Sequence, residues 1–306
     1  MNESIKQGGP FRLAGMALTC DTLLAIATTL IKRIFKMSDI DYSTLTLSQR
    51  DNLFSTLALP DVPFSAPMLS ARKLPDDDFT PGPGQEHGFV AGNTLGTIEG
   101  EMSLENEKDV KNFCCYAENV ANRAYDPDTQ VEAWYKKYNQ TLSAFGFTMQ
   151  SFGFDRLGTS DTQVSVDAIA LKLLGDAALG AGSAGKVLLD TIRNGLNSIG
   201  EDQKALSLFE KRSSNRESAN FQFLPSGEKA NGTVVALLAC SHFKSKENKG
   251  RVLFVSWNKS KIDIFGAARR IIYIASETSP EVRTEVRRWI AKNAMNQFDD
   301  FKLPDD

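Results

Sequence analysis

The hydrophobic pattern of the chain changes from helical to strand-like along its length. Between Ser103 and Gly146, apolar side chains recur every three or four positions, which predicts two amphipathic helices. Ser103 is a favoured N-cap for the first helix, which we expect to run to about Ala124. Asp126 followed by Pro127 predicts the start of the second helix, and Gly146 predicts its end.

Two later regions show the same helical spacing. Residues 166–199 are predicted to form two helices rich in Ala and Leu, joined at a glycine turn. Ser279-Pro280-Glu281 predicts the start of a C-terminal helix. Its buried face is expected to be Val282, Val286, Trp289 and Ile290, and its exposed basic face Arg283, Arg287, Arg288 and Lys292.

A period of two replaces the helical period in the C-terminal half. Strands are predicted at residues 221–223, 233–243, 251–257, 262–265 and 269–274. Because the gaps are too short for crossover helices, neighbouring strands should be antiparallel. The predicted fold class is therefore α+β, with a helical middle region followed by an antiparallel β-meander packed by helices.

Proline and glycine dominate the chain before the first of these helices. Six of the eleven prolines lie between Pro60 and Pro83, and glycines follow them. We expect residues 37–100 to be irregular apart from one short strand at His87–Ala91. A single α+β domain is then expected over residues 101–306.

The most apolar stretch of the chain is residues 13–31. Asp21 near its centre would cost about 2.5–3.5 kcal/mol in a membrane span. Basic residues follow the stretch where a signal peptide would have small residues, so we expect a cytoplasmic protein without a classical signal peptide. Leaderless export and membrane association remain open. Met37 resembles a native start, so residues 1–36 are interpreted as a non-native extension or an amphipathic helix.

Composition narrows the function classes. The 306 residues carry 35 basic and 38 acidic side chains, a balance that disfavours nucleic acid as a partner. Four cysteines and two histidines, spread along the chain, predict neither a disulfide framework nor a metal site. We expect no cofactor.

A glycine-rich segment imitates two nucleotide-binding motifs. Gly180-Ala-Gly182-Ser-Ala-Gly185-Lys186 matches both G-x-G-x-x-G and G-x-x-x-x-G-K. Both motifs require a strand before the first glycine, whereas the preceding residues here have helical spacing. We therefore interpret the segment as the turn of a helical hairpin. Such a hairpin is either part of the core, which its spaced charges favour, or a membrane-inserting element.

One thiol and one imidazole are candidates for chemistry. On a strand from Thr233, Cys240 and His242 share a face about 6–7 Å apart. A thiol-dependent acyl transferase or hydrolase could use them as nucleophile and base. Since cysteine hydrolases take the base from a distant segment, we interpret Cys240 first as a small buried residue and assign no catalytic residue.

Basic side chains concentrate in the predicted meander. Eight lie between Lys244 and Arg270, against Glu247 and Asp263. Strand reversal predicts that Lys259 and Lys261 lie at one end of the sheet. The other end is expected to bind anions or lipid through Lys244, Lys246, Lys249, Arg251, Arg269 and Arg270. Alternatively, these residues only protect a solvated hairpin from edge pairing.

Four short motifs resemble a widespread, poorly described group of bacterial and fungal proteins, over residues 101–306. They are Asp109-Val110-x-Asn112, Trp134-Tyr135-x-x-Tyr138, Leu142-x-x-x-Gly146-Phe147 and Ala230-Asn231-Gly232-Thr233. Length and a late cysteine are also similar to the Erwinia virulence factor type, α/β proteins that carry a fatty acyl chain on a cysteine and act in insect hosts. That resemblance implies Cys240 as the acyl-attachment position.

Together these features predict a non-enzymatic, virulence- or toxin-like protein. We expect it to bind an anionic membrane surface or a host protein through the basic end of the sheet. The thiol-dependent enzyme using Cys240 is the alternative.

Overall fold

The computed structural model describes residues 45–57, 59, 85–149, 154–157, 162–179, 181–214, 218–246, 251–294 and 297–303. The apolar stretch and the extension predicted for residues 1–36 lie outside these ranges. The proline-rich residues 60–83 lie outside them as well.

Seven α-helices lie in the described residues. They are α1 (Leu47–Leu57), α2 (Leu104–Ala124), α3 (Val131–Ala144), α4 (Val166–Leu179), α5 (Ser183–Glu201), α6 (Gln203–Ser213) and α7 (Pro280–Asn293). Ten strands accompany them. They are β1 (His87–Ala91), β2 (Thr94–Ile98), β3 (Phe147–Met149), β4 (Asp155–Arg156), β5 (Gln163–Val164), β6 (Ser218–Glu228), β7 (Val234–Ser245), β8 (Trp257–Asn258), β9 (Ile262–Tyr273) and β10 (Phe298–Lys302).

Eight of these strands form one mixed sheet. Their order is β10-β1-β2-β6-β7-β9-β3, and β4 also pairs with β9. Only β2 and β6 run parallel among the pairs in this sheet of the described chain. The central β6-β7-β9 segment is the predicted antiparallel meander, and the fold is α+β as expected.

Helices cover both faces of the sheet. One apolar cluster joins the sheet to α1, α2, α3 and α7, and a second cluster joins the opposite face to α4, α5 and α6. The alternation along β7 explains the division, because Leu238 and Cys240 belong to the first cluster and Leu237 and Ala239 to the second. We call these two sides the first face and the second face.

Local signals set most helix ends. The hydroxyl of Ser103 accepts the N–H of Asn106 at the start of α2, and Ser279 caps α7 in the same way. Gly146, with φ 87°, follows the last turn of α3. The buried residues of α7 are the four predicted ones.

The start of α3 differs from the prediction. The helix begins at Val131, and Asp126 closes a turn before it, because its Oδ1 accepts the N–H groups of Asp128 (2.8 Å) and Thr129 (3.2 Å). Aspartate side chains stabilise such turns as readily as they cap helices.

The exposed basic face predicted for α7 is also partly wrong. Arg283 and Arg287 both pair with Asp109 of α2, which is only 1% exposed, at 2.6 and 2.7 Å. The arginines therefore join α7 to α2 and do not form a free cationic surface.

Strands also form where glycines predicted irregular structure. The strand expected at His87–Ala91 is confirmed as β1, and β2 follows it. Gly88 lies against the ring of Phe301, and Gly96 against the ring of Phe89, where a Cβ atom would approach within 2.2 Å of ring atoms. Glycine here makes room for aromatic rings inside a sheet.

The strand predicted at residues 251–257 is wrong. Only Trp257 and Asn258 are extended, and they pair with β5 in a separate two-stranded sheet. The two runs predicted at 262–265 and 269–274 are instead one strand, β9, which pairs directly with β7.

Candidate functional site

Cys240 and His242 lie on the first face of β7, as their alternation predicts. Cys240 is fully buried between the sheet and the helices of that face. Burial raises the pKa of its thiol well above the usual value, and the nearby Cys114 adds to the shift. The thiol therefore stays protonated at neutral pH, the form that is a weak nucleophile.

His242 is held by a chain of hydrogen bonds across β6. Its Nδ1 lies 2.7 Å from Oδ1 of Asn220, its register partner, and Asn220 Nδ2 donates to Asp128 at 3.3 Å. Asp128 also accepts the hydroxyl of Ser218. Because an amide oxygen only accepts, Nδ1 carries the ring proton. Burial, assisted by the charge of Lys244, lowers the pKa of His242 to about 4, so the ring is neutral.

Tyr135 of α3 occupies the sheet surface beside these residues. Its hydroxyl donates to the carbonyl oxygen of Ser241 at 2.9 Å and accepts from Gln222 Nε2 at 3.3 Å. Thr94 on β2 continues the chain by donating to Gln222 Oε1 at 3.3 Å. The hydroxyl is thus engaged on both sides by neighbours in the sheet.

The structure shows no hydrogen bond between the thiol of Cys240 and the imidazole of His242 in the described residues. Both groups are neutral, and Nδ1 of His242 is engaged by Asn220. The enzyme that uses Cys240 remains a hypothesis from the sequence, as does the acyl attachment that the resemblance implies.

A buried carboxylate that the sequence interpretation missed lies on the same face. Glu118 of α2 accepts the backbone N–H of Asn93 at 2.9 Å, in the turn between β1 and β2. Burial raises its pKa to about 7, although the Asn93 bond and the charge of Arg212 oppose the shift. Gly92, with φ 63°, leaves the space for this carboxylate. A glutamate among the apolar positions of α2 was the available signal.

Four lysines meet at one end of the main sheet. Lys244 pairs in register with Asp263, and the N–H of Lys246 donates to the carbonyl oxygen of Lys261 at 2.9 Å. Lys259 lies in the short 3-10 turn that precedes β9. All four lysines are exposed, and we call Lys244, Lys246, Lys259 and Lys261 the lysine end.

The predicted grouping of basic residues is partly wrong. Arg269 and Arg270 pair with Leu238 and Leu237 in the middle of β7, about 20 Å along the strand from Lys244. Because residues 251–257 add no strand to this sheet, the chain returns once fewer than predicted. Lys259 and Lys261 therefore join Lys244 and Lys246, while the two arginines lie away from them.

Arg251 of the predicted group does not join the lysine end. Arg251 lies against α6, where its Nη2 donates to Gln203 Oε1 at 3.1 Å. Lys249 lies outside the described residues.

One acidic side chain at this end of the sheet is already paired with a basic one. Asp263 forms an ion pair with Arg156 of β4, a strand that pairs with β9. The lysine end therefore presents four exposed ammonium groups beside a paired carboxylate.

The glycine-rich segment connects two helices, as predicted, and a helix lies where both nucleotide-binding motifs require a strand. Gly182, with φ 63°, precedes α5, and α4 ends at Leu179. A Cβ atom on Gly185 would lie 2.3 Å from the carbonyl oxygen of Ala178, so the glycine allows α4 and α5 to pack closely. Leu179, which is 86% exposed, and Val187 lie near this connection. Insertion of the hairpin into a membrane remains a hypothesis.

In the part of the chain that the structure describes, no helix combines the length and the apolar character that a bilayer span needs.

Comparison with known proteins gives weak structural likeness. No family model matches the chain. No curated protein matches it in sequence. Among solved structures, the chain is similar to a delta-endotoxin, with 13% identity, a TM-score of 0.36, and 72% of this chain and 96% of that chain covered. It is also faintly similar to the Evf virulence factor, with 15% identity, a TM-score of 0.28, and coverage of 66% and 82%. Likeness at this level carries no functional inference.

Proposed function

We propose that this chain is a non-enzymatic protein that binds anionic membrane surfaces through the lysine end. The observation that carries the proposal is the register of β7 and β9, which gathers four exposed lysines at one end of a rigid sheet. The virulence- or toxin-like role is part of the same proposal and rests on the sequence resemblance alone.

The physical basis is attraction between ammonium groups and lipid phosphates. Each lysine near an anionic bilayer contributes about 1 kcal/mol, so four acting together strengthen partitioning by roughly a thousandfold. The attraction decays within about 10 Å at 0.1 M salt. The four lysines lie together at one end of the sheet, so they can all come within this distance of a bilayer surface at the same time.

Vesicle sedimentation tests the proposal. Protein is mixed with phosphatidylcholine vesicles that contain either none or 30% phosphatidylserine, at low and high NaCl. We expect binding only to the anionic vesicles, reduced at least tenfold by about 0.5 M NaCl.

Charge reversal supplies the variant and its control. Lys244→Glu/Lys246→Glu should abolish binding, whereas Arg269→Glu/Arg270→Glu, with the same change in net charge, should reduce it far less. Equal losses in both variants would show that net charge, and not the lysine end, determines binding. Failure of the wild-type protein to bind would overturn the proposal and leave a host protein as the partner to seek.

A further inference from the structure

A cleft of about 1020 Å³ lies between α4 and β9, next to the lysine end. Its volume is at the upper limit of the range typical of small-molecule sites, roughly 300–1,000 Å³. Eight apolar side chains contribute to its lining: Leu157, Val164, Ala168, Ile169, Leu173, Phe254, Ile262 and Ile264. The cleft therefore offers apolar contact from a helix on one side and from the sheet on the other.

Only some of the charged side chains that line the cleft form ion pairs or hydrogen bonds within the protein. Arg156 pairs with Asp263, and the carboxylate of Asp167 accepts the N–H of Phe254 at 3.1 Å. Lys172 and Lys259 also line the cleft, and neither forms an ion pair within the described residues. The cleft also contains two carboxylates that form no ion pair within the described residues, those of Asp167 and Asp176, so Lys172, Lys259 and the paired Arg156 give it a small excess of positive charge.

Phe254 lies at the cleft in an unfavourable backbone conformation. Its φ of 57° is the only positive value at a non-glycine residue in the described ranges, and its side chain is 42% exposed. Such conformations persist where surrounding contacts impose them, and they concentrate at ligand sites. The hydrogen bond to Asp167 is one contact that holds Phe254 here.

The edge of β9 at the cleft is closed to an added peptide strand. The N–H of Leu157 donates to the carbonyl oxygen of Ile264 at 2.8 Å, and β7 occupies the other side of β9. A peptide would find this backbone already paired. The combination of an apolar lining and cationic groups suits an amphiphilic small molecule better than a peptide.

We propose that this cleft binds one acyl chain of an anionic phospholipid, with the phosphate held by Lys172 and Lys259. The apolar lining would take the chain out of water, and the two ammonium groups would neutralise the head group. The inference rests on the proposed membrane binding, because Lys259 belongs to both the cleft and the lysine end.

Soluble single-chain lipids test the site directly. Isothermal titration uses lysophosphatidylglycerol, lysophosphatidylcholine and glycerol 3-phosphate, the lipids below their critical micelle concentrations. We expect one lysophosphatidylglycerol per chain, bound at least tenfold more tightly than either of the others. Equal affinity for the neutral lipid would overturn the role of the lysines, and equal affinity for glycerol 3-phosphate would overturn the role of the apolar lining.

Two variants locate the binding. Ala168→Trp places an indole in the cleft from an exposed position of α4, and Ala291→Trp makes the same change at an exposed position of α7. The first should weaken lysophosphatidylglycerol binding at least tenfold and the second should leave it unchanged. Lys172→Gln, at an exposed site outside the lysine end, should reduce the preference for the anionic lipid. Unchanged binding in Ala168→Trp and Lys172→Gln would refute the site.

The failure of this inference is distinguishable from failure of the membrane proposal. Ala168→Trp retains all four lysines, so its binding to anionic vesicles measures the lysine end alone. Vesicle binding without lysolipid binding would overturn the cleft and keep the membrane function. Lysolipid binding in the cleft without vesicle binding would keep the lipid site and overturn docking on the membrane.

Discussion

The backbone N–H of Lys246 donates to the carbonyl oxygen of Lys261 at 2.9 Å, so the last turn before β9 is joined to the end of β7. This bond places two pairs of lysines, distant by 15 residues in the chain, at one end of the sheet. It also explains why the arginines at 269 and 270 are not part of that group. This register predicts that the pair Lys244 and Lys246 and the pair Lys259 and Lys261 contribute alike to binding.

Neutralising either pair of lysines should weaken binding to anionic vesicles by similar amounts. Lys259→Gln/Lys261→Gln and Lys244→Gln/Lys246→Gln each remove two contributions of about 1 kcal/mol, which corresponds to roughly a thirtyfold loss. Sedimentation with phosphatidylserine vesicles measures both. Full binding in the Lys259/Lys261 variant would contradict the common end, and Arg269→Gln/Arg270→Gln is the matched control.

Cys240 should be inaccessible in the folded protein and dispensable for vesicle binding. The thiol is fully buried with a raised pKa, so Ellman's reagent should react with it only after denaturation. Cys240→Ala should preserve vesicle binding and reduce the free energy of unfolding by about 1 kcal/mol. Intact mass before and after hydroxylamine tests the acyl attachment. An added fatty acyl mass lost from wild type but absent in Cys240→Ala would establish modification at this position.

Glu118 should make the protein less stable as pH rises. The folded-state pKa of about 7 lies above the ordinary value of 4.5, so the folded state retains a proton that the unfolded state has lost. The stabilising effect of that proton is complete below about pH 4.5 and is lost as pH rises through 7.

Glu118→Gln separates this effect from other titrating groups. The amide keeps an acceptor for the N–H of Asn93 and carries no charge, so the variant should gain up to about 3 kcal/mol relative to wild type at pH 8. The difference should shrink toward pH 5 in urea unfolding. Glu118→Ala, which loses the acceptor, should be destabilised at both pH values, and a pH-independent difference for the Gln variant would contradict the raised pKa.

His242 should remain neutral until the solution becomes strongly acidic. Its folded-state pKa of about 4 lies below the ordinary 6.5, so its contribution to stability is present above pH 6.5 and falls away as pH drops toward 4. Nitrogen NMR should show the proton on Nδ1, as the bond to Asn220 requires. The chain has two histidines, so a His87→Asn variant assigns the signals. Titration near pH 6.5 would contradict the buried environment.

Asp109 should be one of the most sensitive charged residues for folding. It accepts from Arg283, Arg287 and the hydroxyl of Tyr273 while nearly fully buried. Asp109→Asn should reduce the free energy of unfolding by about 3 kcal/mol, because its arginine partners lose their buried counter-charge. Glu105→Gln, which removes an exposed partner of Arg287, should cost less than about 1 kcal/mol. Equal costs in denaturant unfolding would show that burial does not set the strength of these pairs.

Local patterns predicted the helices well and their boundaries unevenly. Ser103 and Ser279 cap helices as expected, because a side chain three residues from its N–H partner needs no distant contact. Asp126 also bonds local N–H groups, but in a turn, since the same side chain stabilises either geometry. Its role depends on where the next helix finds its packing surface.

The surroundings of the candidate site were harder to predict than the helices, because they are made by residues distant in the chain. The alternation that places Cys240 and His242 on one face was readable in the strand, but their neighbours Tyr135, Asn220 and Asp128 come from other elements. The sequence showed that a thiol and an imidazole share this face. The surrounding packing made both groups neutral.

The sequence by itself determined the α+β class, the meander and the helical hairpin around the glycine-rich segment, because each follows from hydrophobic period over adjacent residues. The tertiary structure alone decided which basic residues share an end of the sheet. The strand predicted at residues 251–257 is absent from that sheet. Without it, the strand that follows runs in the opposite direction to the one predicted. Hydrophobic period reports which face a side chain occupies, whereas register depends on which distant backbone groups pair.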